Sequence, residues 1–157
     1  MGHFYNIKLK QQISLKDIGN FLTYSLQDIN FKSELYQSYK DLGLKSALMN
    51  SFLTWYQRIS YALEDDYGNT KKVCLQLGDI VTIQDNEYDE SYAILRSIFR
   101  HKGNNNKFYI FIIVTWFEYI NQNHTILECP IYRLNDRQWR RVFPITVVDK
   151  AHKAYFI

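Results

Sequence analysis

The sequence predicts an α+β chain that is mainly β, a small barrel preceded by an N-terminal helical segment. Three observations carry this. Apolar residues recur every three to four positions between residues 13 and 50 and every second position from Trp55 onward. The second region breaks into short apolar runs separated by turn-forming clusters at regular spacing, the pattern of small barrels and sandwiches. One of these runs, FYIFIIVTWF (108–117), is apolar at almost every position, as expected of a central strand buried on both faces. The chain therefore divides into a helical region, 1–54, and a β-rich region, 55–157.

Residues 13–50 read as helix. Leu15, Ile18, Leu22, Leu26 and Ile29 form one stripe, with Ser14 and Asp17 as a candidate N-cap pair. Phe31, Leu35, Tyr39 and Leu42 form a second stripe, which Gly43 is placed to close. A third short helix is expected from Ser46 to Phe52. In WYQRISYAL, Trp55, Ile59, Tyr61 and Leu63 fall on one alternating face, interrupted at Gln57. EDDYGNT is a turn with Gly68-Asn69 at its tip. KKVCLQLGDIVTI gives two strands separated at Gly78-Asp79. After the acidic loop QDNEYDE come SYAILRSIF, a connection of Gly and three Asn, and FYIFIIVTWF. TILECPIYRL, WRRVFPITVV and KAYFI bring the total to seven or eight strands.

Composition excludes several classes. A hydrophobic fraction of 46% with only 6 Gly and 2 Pro argues against a disordered, collagen-like or linker-dominated chain. No apolar run reaches the roughly 18 residues of a helical membrane span. MGHFYNIKLK lacks the apolar core of a signal peptide, and Asn6 stands where the myristoylation pattern requires Ser or Thr. Two cysteines, Cys74 and Cys129, make no disulfide framework and point to a reducing intracellular compartment.

Charge is unevenly distributed. Residues 1–92 carry 9 Lys/Arg against 12 Asp/Glu, and residues 93–157 carry 10 against 4. Such a chain suits a cationic partner at one face and an anionic one at another. Signs of catalysis are lacking. Cys74, Cys129, His101, His124 and His152 fall in no metal-binding spacing, and no Walker, G-x-G-x-x-G or G-x-S-x-G motif occurs. His124 and Cys129 stand on what reads as one strand, facing opposite sides. Cys129 precedes Pro130 in an apolar run and reads as a packing thiol; it is the one nucleophile worth testing. Glu64 and Asp66 pair within a turn. The expectation is a non-enzymatic protein without cofactor or metal.

From Leu77 onward the order of blocks resembles a bromo-adjacent homology (BAH) domain. LGDIVTI (77–83) resembles its opening strand. SYAILRSIF (91–99) resembles its next strand through Tyr92, Ala93 and Arg96, and YIFIIVTWFEY (109–119) resembles its central strand. ECPIYRL (128–134) and RRVFPITVVDKAHKAYFI (140–157) resemble the closing blocks. The resemblance covers about half the chain and implies an SH3-like β core and a chromatin-associated, nuclear module. Its members bind histone tails or other chromatin proteins, and some hold a methylated lysine in an aromatic cage through cation–π attraction. The matching cage positions are Tyr92 and Trp116. The third is Glu118 where the family has an aromatic, with Phe117 and Tyr119 beside it, and the family's Arg-Pro-Glu-Glu segment is replaced by Tyr119-Ile120-Asn121-Gln122.

The functional expectation is a module reading a histone tail, including methyl-lysine. Asp85, Glu87, Asp89 and Glu90 would form an acidic wall that steers the cationic peptide. Arg100, Lys102, Arg137, Arg140 and Arg141 would meet DNA phosphates. The alternative is a nucleic-acid-binding or assembly domain of a larger mobile-element or viral-type protein, without a methyl-lysine pocket, whose exposed aromatics stack on single strands.

Overall fold

The computed structural model describes residues 4–5, 9–14, 30–45, 52–64, 67–84, 90–135 and 140–152. Among them the fold is mainly β, with one α-helix and antiparallel sheets. The strands are β1 (Phe4–Tyr5), β2 (Leu9–Ser14), β3 (Phe52–Tyr56), β4 (Arg58–Glu64), β5 (Thr70–Gln76), β6 (Ile80–Gln84), β7 (Glu90–Lys102), β8 (Phe108–Asn123), β9 (Pro130–Asn135), β10 (Val142–Pro144) and β11 (Val148–His152). The helix, α1, is Phe31–Asp41.

β7 and β8 organise the large sheet because each is long enough to change partners midway. β7 pairs with β6 along its first half and with β3 along its second. β8 pairs with β7, then with β10 on its other edge near its start and with β9 near its end. β2 extends the sheet beyond β3, and β11 extends it beyond β6. The expected barrel is not closed. β2, β9, β10 and β11 each pair on one side only among the described residues. β1, β4 and β5 form a separate three-stranded sheet.

Strand alternation sends β8 into two cores. Ile110, Ile112, Val114 and Trp116 face one way and pack with Ala93, Leu95 and Ile98 of β7 and with Ile59, Tyr61 and Leu75 of the β4–β5 hairpin. Phe111 and Ile113 face the other way and pack with Leu53, Trp55, Phe99, Val142 and the helix residues Phe31, Leu35 and Tyr39. The central position expected for this strand is therefore observed. A bulge between Leu95 and Ser97 keeps both halves of β7 in step with these faces.

The helix forms where the second stripe predicts. Phe31, Leu35 and Tyr39 are buried, and each contributes about 1.5–3 kcal/mol by burial. Gly43 takes φ +73°, Gly43 N–H donates to the Lys40 carbonyl and Leu44 N–H to that of Tyr39, closing the helix end.

Other expectations are corrected. Ser14 is the last residue of β2, paired with Phe52, which opens β3 rather than ending a helix; Asp17, its expected capping partner, lies outside the described residues. Residues 1–54 thus supply strand as well as helix, and the division drawn at residue 54 falls inside β3. The stripe at 15–29, and residues 46–51, lie outside the described residues. Gln57 does more than interrupt a strand. It separates β3 from β4, so Trp55 packs under the helix while Ile59 and Tyr61 enter the opposite core. His124 and Cys129 do not share a strand. They bracket a turn in which His124 N–H donates to the Cys129 carbonyl and His124 Nδ1 accepts from Leu127 N–H at 3.0 Å.

Candidate functional site

Sheet register decides which expected residues can meet. Thr82 pairs with Tyr92, Ala93 with Trp116, and Phe117 with Leu134. Tyr92 therefore lies in line with Phe117 and Leu134, while Trp116 belongs to the next row and points through the other face. The expected pairing of Tyr92 with Trp116 in one cage does not form. Trp116 is 4% exposed; its Nε1–H donates to the Arg140 carbonyl at 2.8 Å and its ring meets Phe143 edge-on. It is a core residue.

Tyr92 instead stands on an exposed face. Its ring meets Tyr132 of β9 edge-to-face, with centroids 5.8 Å apart. Tyr92, Tyr132 and Leu134 are all exposed large side chains, and half-buried Phe117 lies between Tyr92 and Leu134 in the register. Tyr132 and Leu134 were not singled out by sequence. The signal was present in the alternation of IYRLN, which puts both on one face of a strand. Glu118 falls on the Trp116 side and is paired with Arg133 at 3.1 Å on the surface. The side chain of Tyr119 lies outside the described residues, as do those of the acidic set Asp85, Glu87, Asp89 and Glu90. By connectivity, residues 85–89 join β6 to β7 at the pair Gln84–Glu90, two residues from Tyr92.

The basic set does not form one face. Arg140 is committed to the fold. It forms an ion pair with Asp41 of α1, donates to Ser38 Oγ and to the Val142 carbonyl, both at 2.9 Å, and lies over the Phe143 ring. Arg141 is 3% exposed, and its backbone N–H, with that of Val142, donates to the Glu34 carboxylate. These two arginines and Glu34, Ser38 and Asp41 form a clasp holding α1 to β10. Arg137 lies outside the described residues.

Arg100 and Lys102 do sit together, around Phe108. The Arg100 guanidinium lies 4.1 Å from the Phe108 ring centroid and Lys102 Nζ 5.8 Å from it. Arg100 Nε is buried without a hydrogen-bond partner among the described residues. Nearby, burial pushes the Tyr56 phenol above its ordinary range, an effect the Arg100 charge partly offsets.

The buried Tyr39 hydroxyl is hydrogen-bonded to His101 Nδ1, and burial raises its pKa well above the ordinary value. Cys74 is exposed with its Sγ 3.3 Å from Ser60 Oγ, and Cys129 is half-buried; neither is in a disulfide. Among the described residues no three His, Cys, Asp or Glu side chains converge as a metal site, and no helix is long and apolar enough to cross a membrane. An open groove of about 530 Å³ is lined by Gln57, Arg58, Gln76 and Leu77. No protein-family model, curated protein or solved structure matches the chain.

Proposed function

We propose that this chain is a non-enzymatic binding module of the BAH type, with an SH3-like core, that takes a cationic peptide on the face carrying Tyr92, Phe117, Tyr132 and Leu134. The observation that carries the reading is the exposed edge-to-face pair of Tyr92 and Tyr132. Two phenol rings at an angle present faces to a quaternary ammonium, each contact worth about 0.5–2 kcal/mol. The acidic residues Asp85, Glu87, Asp89 and Glu90, which stand in sequence between β6 and Tyr92, support a cationic partner by long-range attraction. A histone tail bearing a methylated lysine has this chemistry, and its location would be nuclear.

Binding to an array of methylated and unmethylated histone-tail peptides tests this. Methyl-dependent binding that falls about tenfold in Tyr92→Ala and again in Tyr132→Ala is expected, a tenfold loss being about 1.4 kcal/mol per ring. Binding that ignores both substitutions, or no binding to any peptide, refutes it.

A further inference from the structure

The opposite end of the same sheet carries a second group of exposed aromatics, chemically unlike the first. Register pairs Lys102 with Phe108 and Leu53 with His101, which sets Phe52 in line with both across β3, β7 and β8. Phe52 is 61% exposed and Phe108 55%. Bare phenyl rings this exposed offer no polar handle to water. Beside them stands the Arg100 guanidinium, half-buried, stacked on Phe108 and without a carboxylate partner among the described residues. Lys102 and Lys107 add charge, and between Ser91 and Phe117 the sequence has no Asp or Glu.

We propose that this end of the sheet binds single-stranded nucleic acid, with Phe52 and Phe108 as a stacking platform and Arg100 and Lys102 as phosphate contacts. Flat rings beside cations on an open sheet match a strand whose bases are free to stack. A duplex, its bases already stacked, leaves the two rings unused and meets only a few cations. An acidic polypeptide satisfies the charges but not the rings. The site is separate from the Tyr92–Tyr132 face, and its test does not depend on that reading.

The experiment is fluorescence anisotropy with labelled oligothymidylate and oligouridylate of about 20 nucleotides, longer than the roughly 4–16 covered by one small β fold. A duplex of equal length and unlabelled poly-glutamate are the competitors. Single strands should bind about tenfold more tightly than duplex, and Phe108→Ala should weaken them about tenfold. Phe52→Ala should weaken them in the same sense, and Lys102→Gln should reduce the salt slope by about 0.7. Near-ultraviolet circular dichroism checks that each variant is folded. Preference between the two oligonucleotides distinguishes DNA from RNA within the proposal. Duplex binding as tight as single-strand binding, full displacement by poly-glutamate, no binding, or a folded Phe108→Ala with unchanged affinity each overturns it.

Discussion

Trp116→Ala should damage folding before it damages binding. The indole is 4% exposed, packs edge-on against Phe143 and donates to the Arg140 carbonyl. Truncating a buried Trp to Ala costs about 3–5 kcal/mol. Leaving the Arg140 carbonyl without its donor adds about 1 kcal/mol. Against a total stability of roughly 5–15 kcal/mol this is a large fraction. With a urea m-value of about 2 kcal/mol/M, the midpoint should drop by about 2–3 M. Trp116→Phe keeps the apolar ring and loses mainly the hydrogen bond, so its midpoint should drop by about 0.5–1 M. Equilibrium urea unfolding followed by far-ultraviolet circular dichroism reads both, with Tyr92→Ala as the surface comparison, expected within about 0.3 M of wild type. A Trp116→Ala midpoint indistinguishable from wild type would refute the placement of this side chain in the core and restore it as a candidate cage wall. Loss of peptide binding in Trp116→Ala therefore means nothing without this measurement.

Other outcomes follow from the same interactions. Tyr39→Phe leaves buried His101 without its hydroxyl partner and should cost about 1–3 kcal/mol, read as a lowered thermal midpoint. Arg140→Lys keeps the charge but cannot hold Asp41, Ser38 and the Val142 carbonyl together in one planar group. It should loosen α1, read as faster amide exchange in Phe31–Asp41. Burial raises the Tyr61 pKa from 10.0 to about 12. A raised folded-state pKa stabilises below the unfolded value and is lost above it. Unfolding free energy should therefore be insensitive to this group below pH 10 and fall between pH 10 and about 12. Tyr61→Phe should flatten that decline, measured by urea unfolding against pH.

What could be read from sequence was what local spacing encodes. The stripe Phe31, Leu35, Tyr39 and the terminal Gly43 predicted α1, and the unbroken apolar run at 108–117 predicted a strand with two buried faces. Features set by pairing were not legible. Whether Tyr92 and Trp116 share a face depends on register between β7 and β8, and a shift of one residue reverses the answer. Gln57 looked like an interruption of alternation, yet it separates two strands that pack in different cores. Arg140 and Arg141 looked like surface charge because their partners, Glu34, Ser38 and Asp41, lie some hundred positions earlier, a separation no local pattern reports. Tyr132 drew no notice because an aromatic in an edge strand becomes a site element only when a second ring, here Tyr92, is folded against it.

The most direct test of the account is amide chemical-shift mapping during titration with a trimethyl-lysine histone-tail peptide. Shifts centred on Tyr92, Phe117, Tyr132 and Leu134 are predicted, with the signals of Phe52, Arg100 and Phe108 unmoved. Shifts centred on the Arg100–Phe108 group instead, or no shifts at saturating peptide, would contradict the assignment of the Tyr92–Tyr132 face as the peptide site.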